Sequence, residues 1–401
     1  MLLRLIRKSK NAIKHYGVKE FVRRVVVFFE RKLYPSKYFH TTHPLKPGKK
    51  GKNVLFITGE PRNATSYYRC EIPKLQLELQ GWTTDIIYEK FVDRIILEMQ
   101  KKPKLNYSHI IFYRTPLSRS NEILIEMARE RKIKTIFSID DFLYRKDLLT
   151  ELDYTKYLDP SDAKRFLERA EGMYQMMLKC DAAITSTEYI SKVIKKVTKK
   201  PVFVNRNGIK EDYSDLLKHK RKKANSEKVV LGYFSGSETH DRDFSIVFTR
   251  LKRFLDTYKN TELWVGGHIK LDFKNERDEI KKFPFMPRAK FMELMLEVDI
   301  NLLPLEYTEF NKGKSEIKFI EAALLEIPTV ASAVGDLSTV IKHQETGFLV
   351  KKKYEWDTYL VDLINSQRLR LDIGRAARKS VLKNYNSEKL GKELVNFLNK
   401  L

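Results

Sequence analysis

The sequence predicts an α/β chain of two Rossmann-like, doubly wound parallel-sheet domains facing a cleft, preceded by a basic helical extension. Three observations predict it. Short apolar runs alternate with amphipathic stretches from Asn53, and the alternation starts afresh at Val229, which is the pattern of parallel strands joined by crossover helices. A polar, lysine-rich stretch separates the two series. With 401 residues, 42% of them hydrophobic, the chain is too long for one ordinary core and apolar enough for two.

Residues 1–50 form the extension and a linker. Over residues 1–35, Ile6, Ile13, Phe21, Val25, Val26 and Phe29 offer an apolar stripe ringed by Arg and Lys. Two readings stay open for it: attachment to an anionic membrane surface, or packing on the protein body with its charges solvated. Arg4, Arg7 and Lys8 interrupt Leu2, Leu3, Leu5 and Ile6, so the uninterrupted apolar core of a signal peptide is missing, as is a small-residue cleavage site. The run from Gly48 to Lys52 reads as a linker.

The first domain, residues 51–210, alternates as follows: Val54 to Thr58, a helical Ile72 to Gln80, Thr84 to Tyr88, His109 to Tyr113, a helical Glu122 to Arg131 and Thr135 to Ile139. A long helix from Asp162 to Lys179 and two strands, Ala182 to Ser186 and Val202 to Asn205, complete it near Gly208. Residues 211–228 are polar, carry the basic run Lys218 to Lys223, and read as an interdomain linker without apolar periodicity.

The second domain, residues 229–385, repeats the scheme. Val229 to Phe234, a helix from about Phe244 to Tyr258, Thr261 to Gly266, the segment Ala289 to Val298 and Ile300 to Pro304 come first. A helix from about Ser315 to Leu325, Thr329 to Ala333, and the helical Trp356 to Asn365 and Gln367 to Asn384 follow; residues 386–401 form a terminal amphipathic helix.

Lys and Arg number 77 against 52 Asp and Glu, a formal net charge of +25, so the chain attracts anions. Charge alone fits nucleic acid, anionic lipid and phosphorylated substrate alike. The lysines are dispersed, with neither an aromatic-basic motif nor a recognition helix, so nucleic acid is not an expected partner. Cys70 and Cys180 lack any CxxC or Cys/His context, which argues against a disulfide framework or zinc site and for a reducing compartment. No apolar run reaches the roughly 18 to 20 residues of a membrane span. The expected setting is cytoplasmic, soluble or peripheral at the inner face of the plasma membrane.

The segment Asn311 to Ser332 is a loop of Gly, Ser and Lys that opens a helix and leads to a strand. Lys314 and Ser315 stand at that opening, where exposed N–H groups and an ammonium together can hold a diphosphate. Lys318 and Glu321, three residues apart, share one helix face. Core packing of Ile317, Ile320, Ala323 and Leu324 explains the helix periodicity but not the loop chemistry before it.

The loop after the first strand of the second domain, Ser235 to Phe244, lies at the ligand edge of an open α/β sheet. Gly236 and Ser237 let the backbone approach a phosphate, and His240 can donate to it. Asp241-Arg-Asp243 has the form of a D-x-D metal signature. In a chain with 52 acidic residues such a match arises easily by chance, and these carboxylates suit the start of the following helix, so no metal is assigned.

In the first domain, the loop from Thr58 to Pro73 sits at the same edge, and Thr65, Ser66, Tyr68 and Arg69 are candidates to face an acceptor or the transferred sugar. Asp140 and Asp141 follow a strand and can orient or deprotonate an acceptor hydroxyl. The competing reading is that Asp140 pairs with Arg114 and Asp141 caps a turn.

The 311–332 segment resembles the donor loop of family-4-like GT-B glycosyltransferases, glycosyl transferases group 1, in which the donor helix runs on as Glu-Ala-x-x-x-x-x-Pro-x-Val-Ala. Here that is Glu321-Ala through Pro328-Thr-Val-Ala331. The resemblance covers roughly residues 53–385, most strongly 229–350. It implies a GT-B fold and hexosyl or deoxyhexosyl transfer from a nucleotide-sugar in the interdomain cleft, with retention of configuration. Glu321 would take the ribose hydroxyls and Lys318 phosphate charge, while backbone near Phe285 and Met286 would touch the base. Together with the positions at the sheet edge given above, this makes Arg69, Asp140 and Lys318 the expected catalytic set, with Thr65, Ser66, Tyr68, Arg114 and Asp141 on the acceptor side.

The family's earlier Glu falls on Gly313, which leaves the sugar-hydroxyl contact unassigned. No cofactor beyond the nucleotide-sugar co-substrate is expected. The basic extension points to a lipid-linked or cell-surface polysaccharide acceptor on an anionic leaflet. A basic nucleic-acid-binding protein and a GT-B sugar-nucleotide epimerase are the alternatives.

Overall fold

The computed structural model describes residues 52–59, 64–101, 107–222, 228–236, 241–267, 269 and 278–401. The basic stripe of residues 1–35, the 48–51 part of the linker, Ser237 and His240 lie outside them.

The first sheet contains β1 (Asn53–Thr58), β2 (Thr83–Tyr88), β3 (His109–Tyr113), β4 (Lys134–Ile139), β5 (Ala182–Thr185) and β6 (Val202–Val204), in the order β2-β1-β3-β4-β5-β6. Every pairing in it is parallel. β1 and β3 are buried at every position, as expected of parallel strands covered on both faces. The covering helices include α1 (Ile72–Glu78), α2 (Val92–Lys101), α3 (Arg119–Glu130), α4 (Pro160–Lys179) and α5 (Glu188–Val197). Ser118 accepts from Asn121 N and Thr187 from Ile190 N, which fixes where α3 and α5 begin.

The interdomain segment is not without structure: it forms α6 (Ser214–Lys222), and Leu217, 4% exposed, packs beside Val230, Met292 and Met295. The second sheet contains β7 (Val229–Ser235), β8 (Thr261–Gly267), β9 (Ile280–Phe283), β10 (Ile300–Leu303), β11 (Thr329–Ser332) and β12 (Phe348–Val350), in the order β12-β11-β10-β7-β8-β9. It too is entirely parallel. Its chain order reverses between β7 and β10, so the loops leaving these two strands diverge and open a crevice at their C-terminal ends. In the first sheet the same reversal falls between β1 and β3.

Around the second sheet lie α7 (Asp241–Thr257), α8 (Arg288–Met295), α9 (Ile317–Leu324), α10 (Glu355–Asn365) and α11 (Gln367–Asn384). The last helix, α12 (Ser387–Leu398), leaves that domain and returns to the first. Leu394 and Leu398 join Val54, Phe56 and Ile111 in one apolar cluster, Phe397 stacks on Phe203 with centroids 5.0 Å apart, and a β-bridge pairs Ile209 with Asn386. A side chain at Gly391 would meet the Gln76 carbonyl oxygen at 2.4 Å, so glycine is what lets α12 lie directly on α1. Cys70 and Cys180 are free and buried.

Candidate functional site

The first-domain wall of the crevice is built by the loops leaving β1, β3 and β4. After β1 the chain makes a wide turn of π type, Tyr67–Glu71, before α1, a local irregularity of the kind found at functional positions. It turns Tyr68 toward the second domain. Arg69, the neighbouring candidate, does not face the crevice. It is 1% exposed and donates to the Asn205 carbonyl at 2.6 Å, Asn207 Oδ1 at 3.4 Å and the Thr185 carbonyl at 3.5 Å. These bonds tie the loop to the ends of β5 and β6, and the sequence-based placement on the acceptor side is corrected accordingly. Ser66 is buried, and Thr65 is half-buried and hydrogen-bonded to Tyr113.

Asp140 and Asp141 divide. Asp140 is 8% exposed and accepts from Arg114 Nε at 2.7 Å and Tyr113 Oη at 3.1 Å. The pairing with Arg114 is thus present. Arg114 itself adopts φ 47, the left-handed region that side chains other than Gly, Asn and Asp avoid, at the point where the first sheet reverses its order. Asp141 accepts from the Phe142 N–H at 3.1 Å, the turn-capping reading, but its second oxygen accepts from Lys314 Nζ at 2.8 Å across the crevice.

The second-domain wall is the loop between β10 and α9. Asp243 anchors it: one carboxylate oxygen accepts from the Glu306 N–H at 2.8 Å and from Asn311 Nδ2 at 2.7 Å. Asp243 is 2% exposed within the first turn of α7, and from there it braces the loop. Among the described residues no three His, Cys, Asp or Glu side chains converge as a metal site. Gly313 sits where a Cβ would come within 2.7 Å of the Phe142 ring of the first domain, so the missing side chain lets the two walls touch.

α9 is almost wholly buried, yet it carries two ionisable groups on its cleft face. Lys318 is drawn down to about 8, chiefly by burial, with Asp243 and Glu321 opposing and Lys314 assisting. Among the described residues no carboxylate lies within ion-pair distance of its ammonium, which sits 5.3 Å from the Tyr233 ring centroid. Glu321, 8% exposed, is held above the ordinary carboxylate range by burial, against Arg288, Tyr68 and Lys318. Its Oε1 accepts from Tyr68 Oη at 2.8 Å and lies 3.7 Å from Arg288 Nε.

Arg288, which sequence reasoning missed, opens α8 and is the hub of this contact. Its guanidinium lies 4.6 Å from the Tyr67 ring centroid and 5.5 Å from those of Tyr68 and Tyr213. It also bonds the hydroxyls of Tyr68 and Tyr213 and pairs with Glu211 at 3.7 Å. Tyr67 completes the cluster by donating to Glu211 at 2.8 Å. Only the position after Pro287 at a helix start marked Arg288 in the sequence.

A second set of missed residues lies behind the donor loop. Asp336 accepts from the N–H groups of Glu188 at 2.8 Å and Tyr189 at 3.1 Å, and pairs with Arg206 at 3.1 Å. Arg206 also lies 3.7 Å from Glu316. Glu316 is fully buried at the start of α9, and burial raises its pKa to about 6 against the pull of Arg206.

Of the expected donor-side residues, Lys314, Ser315, Lys318 and Glu321 are therefore brought to one wall. Gly236 is exposed beside the crevice, with nothing within 4 Å of a Cβ placed on it. Phe285 is 41% exposed, and Met286 is half-buried in the loop before α8. Among the described residues no helix is long and apolar enough to cross a membrane.

Residues 230–365 match the family described as Glycosyl transferases group 1. No curated protein matches the chain. Solved structures of the same two-domain form include Anabaena HepE in complex with UDP-glucose (TM-score 0.59, 14% identity, 87% of this chain and 100% of that one). Sucrose-phosphate synthase from Thermosynechococcus elongatus aligns with TM-score 0.61 and 13% identity over 87% of this chain and 98% of that one. The catalytic domain of starch synthase IV from Arabidopsis thaliana, bound to ADP and acarbose, aligns with TM-score 0.62 and 10% identity over 88% and 99%. The fold is GT-B: two Rossmann-like domains facing a cleft.

Proposed function

We propose that this chain is a glycosyltransferase that moves a sugar from a nucleotide-sugar, held mainly by the second domain, to an acceptor seated against the first. The observation that carries the reading is the convergence of Lys314, Lys318 and Glu321 at the opening and on the cleft face of α9, beside the crevice where the second sheet reverses. Two ammonium groups suit a diphosphate, and a buried carboxylate suits a pair of ribose hydroxyls. The match of residues 230–365 to Glycosyl transferases group 1 supports the same assignment, and HepE binds UDP-glucose with this fold.

In this reading the acceptor hydroxyl forms a bond to the anomeric carbon while the bond from that carbon to the diphosphate oxygen breaks, and the hydroxyl proton passes to the departing diphosphate. The charge gathering on the leaving diphosphate is met by Lys314 and Lys318, groups already fixed in a low-dielectric cleft. Retention of configuration follows from the group 1 resemblance, with the acceptor attacking on the face the diphosphate leaves. Asp140, neutralised by Arg114, positions the acceptor side, and Asp141 is a first-domain carboxylate bonded to the donor loop. No metal is assigned to the diphosphate. The acceptor we propose is a lipid-linked or cell-surface glycan, reached from the cytoplasmic face of an anionic membrane, because the chain carries a formal +25.

The test is saturation-transfer NMR of the full chain against UDP-, GDP-, dTDP- and ADP-sugars, repeated with Glu321→Ala. Binding by the wild type that the variant loses supports the assignment and names the base. Tight, salt-sensitive binding to RNA with no binding to any sugar nucleotide would overturn it.

A further inference from the structure

Two side chains of the first domain are bonded to two groups of the donor wall, and each has the chemistry of the nucleotide part that the wall would receive. Tyr68, 2% exposed, offers a hydroxyl that donates to Glu321 at 2.8 Å, as a ribose hydroxyl would. Asp141 offers a carboxylate that accepts from Lys314 at 2.8 Å, as a phosphate oxygen would. We propose that the donor site is held shut from within: Tyr68 and Asp141 stand in for the ribose and the diphosphate, and a nucleotide-sugar binds only by displacing both. The proposal rests on the donor-site reading given above.

The arrangement is specific to those two groups. Further contacts between the domains, such as those from Asp336 to the start of α5 and from Tyr189 Oη to Glu309 at 2.8 Å, use none of the donor-binding side chains and are free to persist when donor is present. Arg288 strengthens the Tyr68 contact, because its guanidinium donates to the same hydroxyl at 3.3 and 3.4 Å while lying 3.7 Å from Glu321. The ring of Tyr68 is thereby fixed in the Glu321 position.

Lys318 is the exception that makes displacement workable. Among the described residues it has no carboxylate partner, so an arriving diphosphate meets one unpaired cation first. It then exchanges Asp141 for a phosphate oxygen on Lys314, and the ribose exchanges for Tyr68 on Glu321. Asp141 and Tyr68 are released toward the acceptor side, so donor binding precedes assembly of the acceptor site. A ligand that must select the unplugged minor form binds more weakly than its intrinsic affinity by the fraction of that form present.

The sign of the effect separates this role from direct contact. Calorimetric titration of the full chain with UDP-glucose, GDP-mannose and ADP-glucose should show whichever donor binds doing so about 3- to 10-fold more tightly to Tyr68→Phe and to Asp141→Asn, and tighter still to the double variant. Equal or weaker binding by these variants, with wild-type binding intact, would overturn the proposal and leave the glycosyltransferase reading standing. Absence of binding by wild type and double variant alike would sink both. Hydrogen exchange on the wild type gives a check that needs no substitution: saturating donor should protect residues 313–321 while residues 140–145 exchange faster. Protection of both segments together would also overturn it.

Discussion

Asp336 of the second domain caps a helix of the first, its carboxylate accepting from the backbone N–H of Glu188 at 2.8 Å. A helix start needs such acceptors for its unpaired N–H groups, and α5 takes one from its own Thr187 and the others from a residue 148 positions away. The cap therefore doubles as an interdomain tie, reinforced by Arg206.

Asp336→Ala is expected to lower global stability by about 1 to 2 kcal/mol, the usual cost of a lost cap. Urea denaturation measures the loss, and hydrogen exchange should localise faster opening to residues 188–191. Asp336→Asn, which keeps an acceptor oxygen, should recover part of it.

Donor affinity should depend on the ionisation of Lys318. Burial brings its pKa down to about 8, and only the ammonium form attracts phosphate. Affinity is expected to be full below that pH and to fall toward a tenfold loss per pH unit above it, by proton linkage. Calorimetry from pH 7 to pH 9.5 tests this, and Lys318→Met should bind weakly and without the decline.

Glu316 sets a second pH dependence with the opposite bearing on stability. Its folded pKa of about 6 lies above the ordinary glutamate value of 4.5, so the folded state holds its proton more tightly than the unfolded chain does. Stability from this group is complete below pH 4.5 and is lost as pH rises through about 6. At 1.36 kcal/mol per unit the loss amounts to about 2 kcal/mol. Glu316→Gln should gain that amount relative to wild type between pH 4.5 and pH 7, read from paired denaturation curves.

Arg69→Lys separates scaffold from chemistry. The guanidinium reaches the carbonyls of Asn205 and Thr185 together, which a single ammonium cannot reproduce in the same fork geometry. A stability loss of about 2 to 4 kcal/mol is expected, from buried acceptors left unpaired, with donor affinity per folded molecule unchanged. A variant of normal stability that has lost transfer would return Arg69 to the reacting groups.

The sequence was legible where one local signal dominated. Continuous apolar runs gave most of the strands because both faces of each sheet are covered, and the Gly, Ser and Lys chemistry before Ile317 located the donor wall. What was not read lacked such a signal. β12 is three residues long and β9 mixes apolar with charged positions; α2 and α5 are the exceptions, each carrying an apolar stripe at helical spacing, such as Val92, Ile95, Ile96 and Met99. The partners of the site residues were beyond reach for a different reason: Tyr68 and Glu321 meet across 253 positions, and Lys314 and Asp141 across 173. Nothing local predicts that Arg69 turns inward while Tyr68, its neighbour, crosses the cleft.

The return of α12 to the first domain has a consequence for how the protein is made. Leu394 and Leu398 are part of the same apolar cluster as Val54 and Phe56, so the opening strand waits for residues near the end of the chain before its packing is complete. During vectorial synthesis the second domain can finish first, and the half translated earlier is the half that matures later. The two crossings at Ile209 and Asn386, bonded side by side, then join the domains through two chain segments instead of one.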